Sequence, residues 1–210
     1  GIYLQGGCHL LSLFSCMPLI RPVLNGRCCI LKEGLVADSR SDILLQTLDA
    51  IPQAHVAQTL ERLQLPSDYF CPRLFERTFT IPELRGSEEF PKTVVVLSIA
   101  ADVVRTVYRH REHGFLVDPG GWWFGQPMTA VLADLATANW FREHFVSVGK
   151  ISVEVFMQNF ARIVELVRRN TGAHVLVFNA LSVEPGSLIH NYQFVRNPQP
   201  LRLREFNLAL

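Results

Sequence analysis

The chain lacks any appreciable excess of charge: 20 lysines and arginines against 19 aspartates and glutamates leave a net charge of +1 over 210 residues. Binding nucleic acid or an anionic membrane surface calls for a basic field, so neither partner is expected. Cysteine is scarce and poorly arranged for cross-linking. The five cysteines are an odd number, Cys28 and Cys29 are adjacent, and no C-x-x-C pair occurs. That sets aside a regular disulfide framework and the common zinc and redox motifs, so no metal is expected and a reducing, cytoplasmic compartment is the expectation. Long apolar runs are missing as well. The nearest, residues 8–20, is broken by His9, Ser12, Ser15 and Pro18 with no basic region before it, so no membrane span is expected. There is no internal repeat or low-complexity tract. Nor is there a G-x-G-x-x-G fingerprint, since Gly6-Gly7-Cys8-His9 has the wrong spacing, and no cofactor is expected.

What the chain does have is apolar content, 49% of its residues, enough to bury a full core as one domain. It opens inside a strand at Gly1 and closes inside a helix at Leu210, the expectation for a domain cut from something longer. Four β-rich runs occur at residues 2–5, 28–31, 93–97 and 174–178. Thr-Val-Val-Val-Leu and His-Val-Leu-Val-Phe are nearly continuous apolar runs, as strands covered on both faces are. Helical patterns lie between them, at residues 42–51, 55–63 and 101–111, the last with Val103, Val104, Val107 and Tyr108 on one face. The clearest spans residues 153–169, with an apolar stripe of Phe156, Phe160, Ile163, Val164 and Val167 and with Gly172 as a C-cap. Strands alternating with helices predict an α/β fold, a three-layer α/β/α sandwich on a mostly parallel sheet. Residues 66–91, with four prolines, predict an excursion at the sheet edge. Residues 114–127 carry Trp122-Trp123-Phe124, which either line a pocket, anchor a partner or pin a loop to the core.

The opening Ile2-Tyr3-Leu4-Gln5-Gly6-Gly7-Cys8-His9 sends an apolar run into a Gly-Gly turn, with a thiol just beyond it. With a helix following from Leu10, Cys8 stands where unpaired N–H groups favour a thiolate or an oxyanion; alternatively it is a small buried hydrophobe. In an open parallel sheet ligands gather at the carboxyl ends of the strands. Those ends here are Gly6-Gly7-Cys8-His9, Glu33-Gly34 through Ser39, Ser98 through Asp102, and Asn179 through Gly186. Asp102 is also placed to cap a helix starting at Val103. Asn179 reads as a ligand contact or a turn residue, and His9 as a local first-turn residue.

The order of strand, Gly-x-Cys turn, helix, strand ending in Ala-Ala-Asp, Phe-x-x-Asn-Phe-x-x-Ile-Val-x-x-Val helix, strand and Arg-Glu-Phe-Asn-Leu-Ala-Leu resembles that of an SGNH (GDSL-type) hydrolase. The resemblance covers most of the chain through short motifs. In that family the first strand ends in Gly-Asp-Ser with a serine nucleophile, and related branches carry Gly-Ser-Cys or Gly-Asn-Cys. The resemblance implies a flavodoxin-like sheet and an esterase or acyltransferase with Cys8 as nucleophile. It further implies an acyl or carbohydrate small molecule as substrate, and Gly7, Gly34, Asp102, Asn179 and His190 as oxyanion-hole and pocket residues.

The sequence departs from the family pattern in two places. Ile99-Ala100-Ala101-Asp102 has alanine where the family places an oxyanion asparagine, a donor whose loss commonly costs roughly 3–4 kcal/mol of transition-state stabilisation. Gly34 competes with Ala37 for the second oxyanion position, leaving the backbone N–H of Cys8 as a donor. The family's base comes from an Asp-x-x-His block after the last helix, a position beyond Leu210. His190 precedes that helix and is read as a pocket or loop residue. The other expectation is therefore a domain that keeps the fold without the chemistry and serves as a binding module in a carbohydrate- or metabolite-modifying protein.

Overall fold

The computed structural model describes residues 2–6, 10, 30–31, 40–49, 51, 53–65, 67–75, 94–118, 131–179 and 198–210. Its organising element is β1 (Ile2–Gln5), which pairs in parallel with β2 (Ile30–Leu31) on one side and β3 (Val94–Ser98) on the other. A fourth parallel strand, β7 (His174–Phe178), adds to β3, so the spatial order is β2-β1-β3-β7. Three of these strands, β1, β3 and β7, fall at the predicted apolar runs, and β3, flanked on both edges, is buried as a strand covered on both faces should be. The expectation of cover on both faces is corrected for β7, an edge strand whose Leu176 and Val177 are exposed.

The pleat divides the strand side chains between two cores. Tyr3, Val95 and Leu97 face one way, toward Phe156, Phe160, Ile163 and Val167 of α5 (Val153–Thr171) and Leu203 and Phe206 of α6 (Pro198–Ala209). Leu4 and Val96 face the other way, where Leu10 lies buried against them. Ser152 caps α5 by accepting a hydrogen bond from Val155 N at 3.3 Å, and Gly172 ends it in the left-handed conformation at φ 68°. The helix thus buries the stripe its period announces, and complete burial of a side chain such as Phe156 contributes roughly 1.5–3 kcal/mol.

The predicted helix over 101–111 is corrected. Helix α3 covers only Ala100–Val104, and Arg105 then turns extended into β4 (Val107–His110). Val103, Val104, Thr106 and Val107 are β-branched and lose rotamer freedom in a helix. As a strand this segment gains partners on both edges, antiparallel to β5 (Leu116–Val117) and to β6 (Phe145–Gly149). This three-stranded antiparallel sheet stands beside the four-stranded parallel one, so the architecture is mixed α/β. Its apolar side packs on α4 (Leu135–His144), where Trp140 and Phe141 meet Phe145, and on Leu63 of α2 (Gln53–Leu63). The excursion predicted over 66–91 is described only to Phe75, and there it is partly core: Leu74 and Phe75, in a 3-10 turn, pack with α5. Trp122, Trp123 and Phe124 lie outside the described residues.

Arginines tie the helices to the ends of the antiparallel sheet. Arg40, 2% exposed, precedes α1 (Ser41–Gln46), donates to the carbonyls of Arg105 (3.3 Å) and Gly149 (2.6 Å), and grips both oxygens of Asp42. Arg202 reaches from α6 to the carbonyls of Asp102, Val103 and Ile151. Arg105 pairs with buried Asp118 at 3.2 Å. Buried carbonyls at the ends of short elements need donors, and guanidinium groups supply several at once.

Candidate functional site

The parallel sheet changes its direction of winding beside β1, with β2 added on one side and β3 on the other, and this switch point opens at the carboxyl ends of β1 and β3. Gly6 follows β1 there and packs directly on Ser98, the last residue of β3. A Cβ built on Gly6 would lie 2.5 Å from Ser98 Cβ and 2.8 Å from Leu10 Cδ1, so only glycine fits. Ser98 turns back to accept a hydrogen bond from Ala100 N at 3.1 Å, which starts α3. Asn179, just past β7, is exposed at the same edge of the sheet.

Asp102 occupies the first turn of α3 and is 1% exposed. It does not cap its own helix, as the sequence suggests. Its Oδ1 accepts instead from the backbone N–H of Ser41 (3.0 Å) and from Ser41 Oγ (2.5 Å), so Asp102 satisfies the first orphan donor of α1 from a distant part of the chain. Asn159 of α5 donates to the same Ser41 hydroxyl at 3.1 Å. Three elements, α1, α3 and α5, are thereby locked through one serine oxygen.

The environment reshapes the acidity of this group. Burial pushes the Asp102 carboxyl up from 3.8 to about 7; the two Ser41 hydrogen bonds pull against that rise, the Asp42 carboxylate adds to it and the Arg40 guanidinium opposes it. A carboxyl titrating near neutrality has the acidity a general base needs. Its surroundings are closed, however. Gln5, Ser41, Ser98 and Asp102 converge on a cavity of only about 10 Å³, sealed by Leu44, Leu97, Phe160 and Ile163, which is room for roughly one water.

The structure brings Asp102 and the Gly6 turn to one switch point and leaves Asn179 exposed at its rim. Gly7, Cys8, Gly34 and His190 lie outside the described residues. Sequence reasoning missed Ser41, Asn159 and Gln5. Asn159 carried the faintest signal, a poor helix former next to Phe160 on an otherwise regular apolar stripe. Among the described residues, Cys71 is exposed and unbridged, no group of three His, Cys, Asp or Glu residues is placed to hold a metal ion, and no helix is long and apolar enough to cross a membrane. No family model, curated protein or solved structure matches the chain.

Proposed function

We propose that this chain is an SGNH-like esterase or acyltransferase built on a doubly wound, three-layer sheet, with Cys8 as nucleophile. One observation supports the reading: the parallel order β2-β1-β3-β7 has the Gly6 turn, two residues before Cys8 in the sequence, at the switch point beside Ser98. In this scheme the Cys8 thiolate adds to an acyl carbonyl and expels the alcohol or thiol. The resulting thioester then passes its acyl group to water or to an acceptor hydroxyl. Asp102 acts behind the site, holding α1 through Ser41. A reducing, cytoplasmic setting belongs to the same reading, since a nucleophilic thiol must stay unbridged. In the full chain, Cys8→Ala should abolish release of p-nitrophenolate from its acetate ester while far-ultraviolet circular dichroism stays unchanged. Equal turnover by parent and variant would overturn the proposal.

A second reading, a binding module without catalysis, is favoured by the closed Asp102 cavity, where Ser41 already occupies the carboxylate. Iodoacetamide separates the two. Rapid alkylation of Cys8 near neutral pH supports the nucleophile, and alkylation no faster than that of exposed Cys71 supports the module.

A further inference from the structure

A second, much larger concavity lies between α1, the turn joining β4 to β5, and the turn of α5 that carries Asn159 and Arg162; its volume is about 670 Å³. That is within the roughly 300–1,000 Å³ range of small-molecule sites. We infer that this groove binds a small amphipathic anion, a carboxylate carried on an aliphatic or aromatic body. The inference stands apart from the acyl-transfer reading and assumes nothing about Cys8.

The apolar wall is supplied by Leu45, Leu48, Ile51, Phe115 and Leu116. Gln46 is part of the frame, because its amide is spent on the backbone of Leu116, donating to the carbonyl at 2.6 Å and accepting from the N–H at 2.7 Å. The charged groups of the lining are not equally available. Asp42 is held by Arg40 at 2.5 Å and is effectively neutralised. Arg109 is exposed on β4 and has no carboxylate partner among the described residues.

Arg162 pairs with Glu165 at 2.8 Å, but both side chains are half exposed and Glu165 also lies 3.7 Å from Arg169. Such a solvent-screened pair yields readily to a better-placed carboxylate, and Glu165 keeps a partner when it does. His113 lines the same groove with its Nε2 shielded from solvent; the exposed Glu112 carboxylate, 3.7 Å away, is too far to bond it, and no other described residue does. Arg109, and Arg162 once it exchanges Glu165 for the ligand, outnumber the one uncommitted acid of the lining, Asp49, so the balance favours an anion.

Calorimetric titration of the full chain with octanoate, and with octan-1-ol as the uncharged match, tests this at low ionic strength. Octanoate should bind, and octanol about tenfold more weakly or less, since a charge-assisted hydrogen bond is roughly twice a neutral one. Arg109→Gln and Arg162→Gln should each weaken octanoate about fivefold and leave octanol unchanged, the scale of one exposed ion pair. Both arginines are exposed, and circular dichroism checks that the variants fold. Asp49→Asn should tighten octanoate binding by removing the opposing charge. The inference is overturned if octanoate does not bind at millimolar concentration, if octanol matches it, or if neither arginine substitution matters. It is equally overturned if Asp49→Asn weakens binding, because the ligand would then need a cationic group.

Discussion

Replacing Asp102 with asparagine should flatten the dependence of stability on pH. The carboxyl titrates at about 7 in the folded protein and at 3.8 when free of it. Between those values the native state holds a proton that the unfolded chain has released, so the contribution of Asp102 to stability is greatest below about pH 4 and falls as pH rises toward 7. The interval is roughly three pH units, and at about 1.4 kcal/mol per unit the full loss is about 4 kcal/mol. The asparagine side chain is neutral throughout and still offers a carbonyl oxygen to Ser41 N and Oγ. The variant should therefore match the parent near pH 4 and exceed it at pH 8 by up to about 4 kcal/mol. Urea unfolding followed by tryptophan fluorescence at half-unit steps from pH 4.5 to 8 measures this directly. A variant whose midpoint falls with pH as steeply as the parent's, or one less stable than the parent at pH 8, would refute the assignment of that slope to Asp102. Ser41→Ala gives an independent check, since losing the hydroxyl donor should raise the Asp102 titration and move the window to higher pH.

Three further outcomes are expected. Gly6→Ala should destabilise the protein by about 1–3 kcal/mol, because the added methyl meets Ser98 and Leu10; an unchanged thermal midpoint would show that β1 and β3 do not approach as described. Arg40→Lys should cost about 3–5 kcal/mol in urea unfolding, since one ammonium cannot hold both Asp42 oxygens and the two carbonyls; a loss within error of zero would mean the arginine is not their shared partner. Burial and the neighbouring His113, His144 and His55 hold His110 below its usual 6.5, so its neutral form is favoured in the folded state. Stability in the Asp102→Asn background should therefore decline as pH drops below 6.5, and a flat profile there would exclude His110 as its source.

The parallel sheet was legible in the sequence for a simple reason: β1, β3 and β7 are short runs whose apolar character is continuous, and the helix between β6 and β7 carries a stripe with an unmistakable period. The antiparallel sheet was not. Val103, Val104, Val107 and Tyr108 fit helical spacing over so short a window that only their β-branching argued otherwise, and the deciding partners, Phe145 through Gly149, lie about 40 residues away. The candidate site shows the same division. Glycine after a strand could be recognised locally, whereas the acceptor role of Asp102 depends on Ser41, 61 positions earlier, and no local pattern encodes such a bond. The buried Arg40 was equally silent, because an arginine beside an aspartate reads as a surface pair until the carbonyls of Arg105 and Gly149 are found around it.

The central position of β1 also has a consequence for synthesis. Val94, the register partner of Ile2, emerges about 90 residues after it, and the partner on the other edge is a strand of two residues. At roughly 5–20 residues per second, β1 exists for roughly 5–20 s before β3 is available. Throughout that interval the edge of β1 that takes β3 is open to other nascent chains. The strand on which the parallel sheet is assembled thus waits unprotected on one edge, and shielding of that edge by a holding chaperone should matter early, before residue 98 leaves the ribosome.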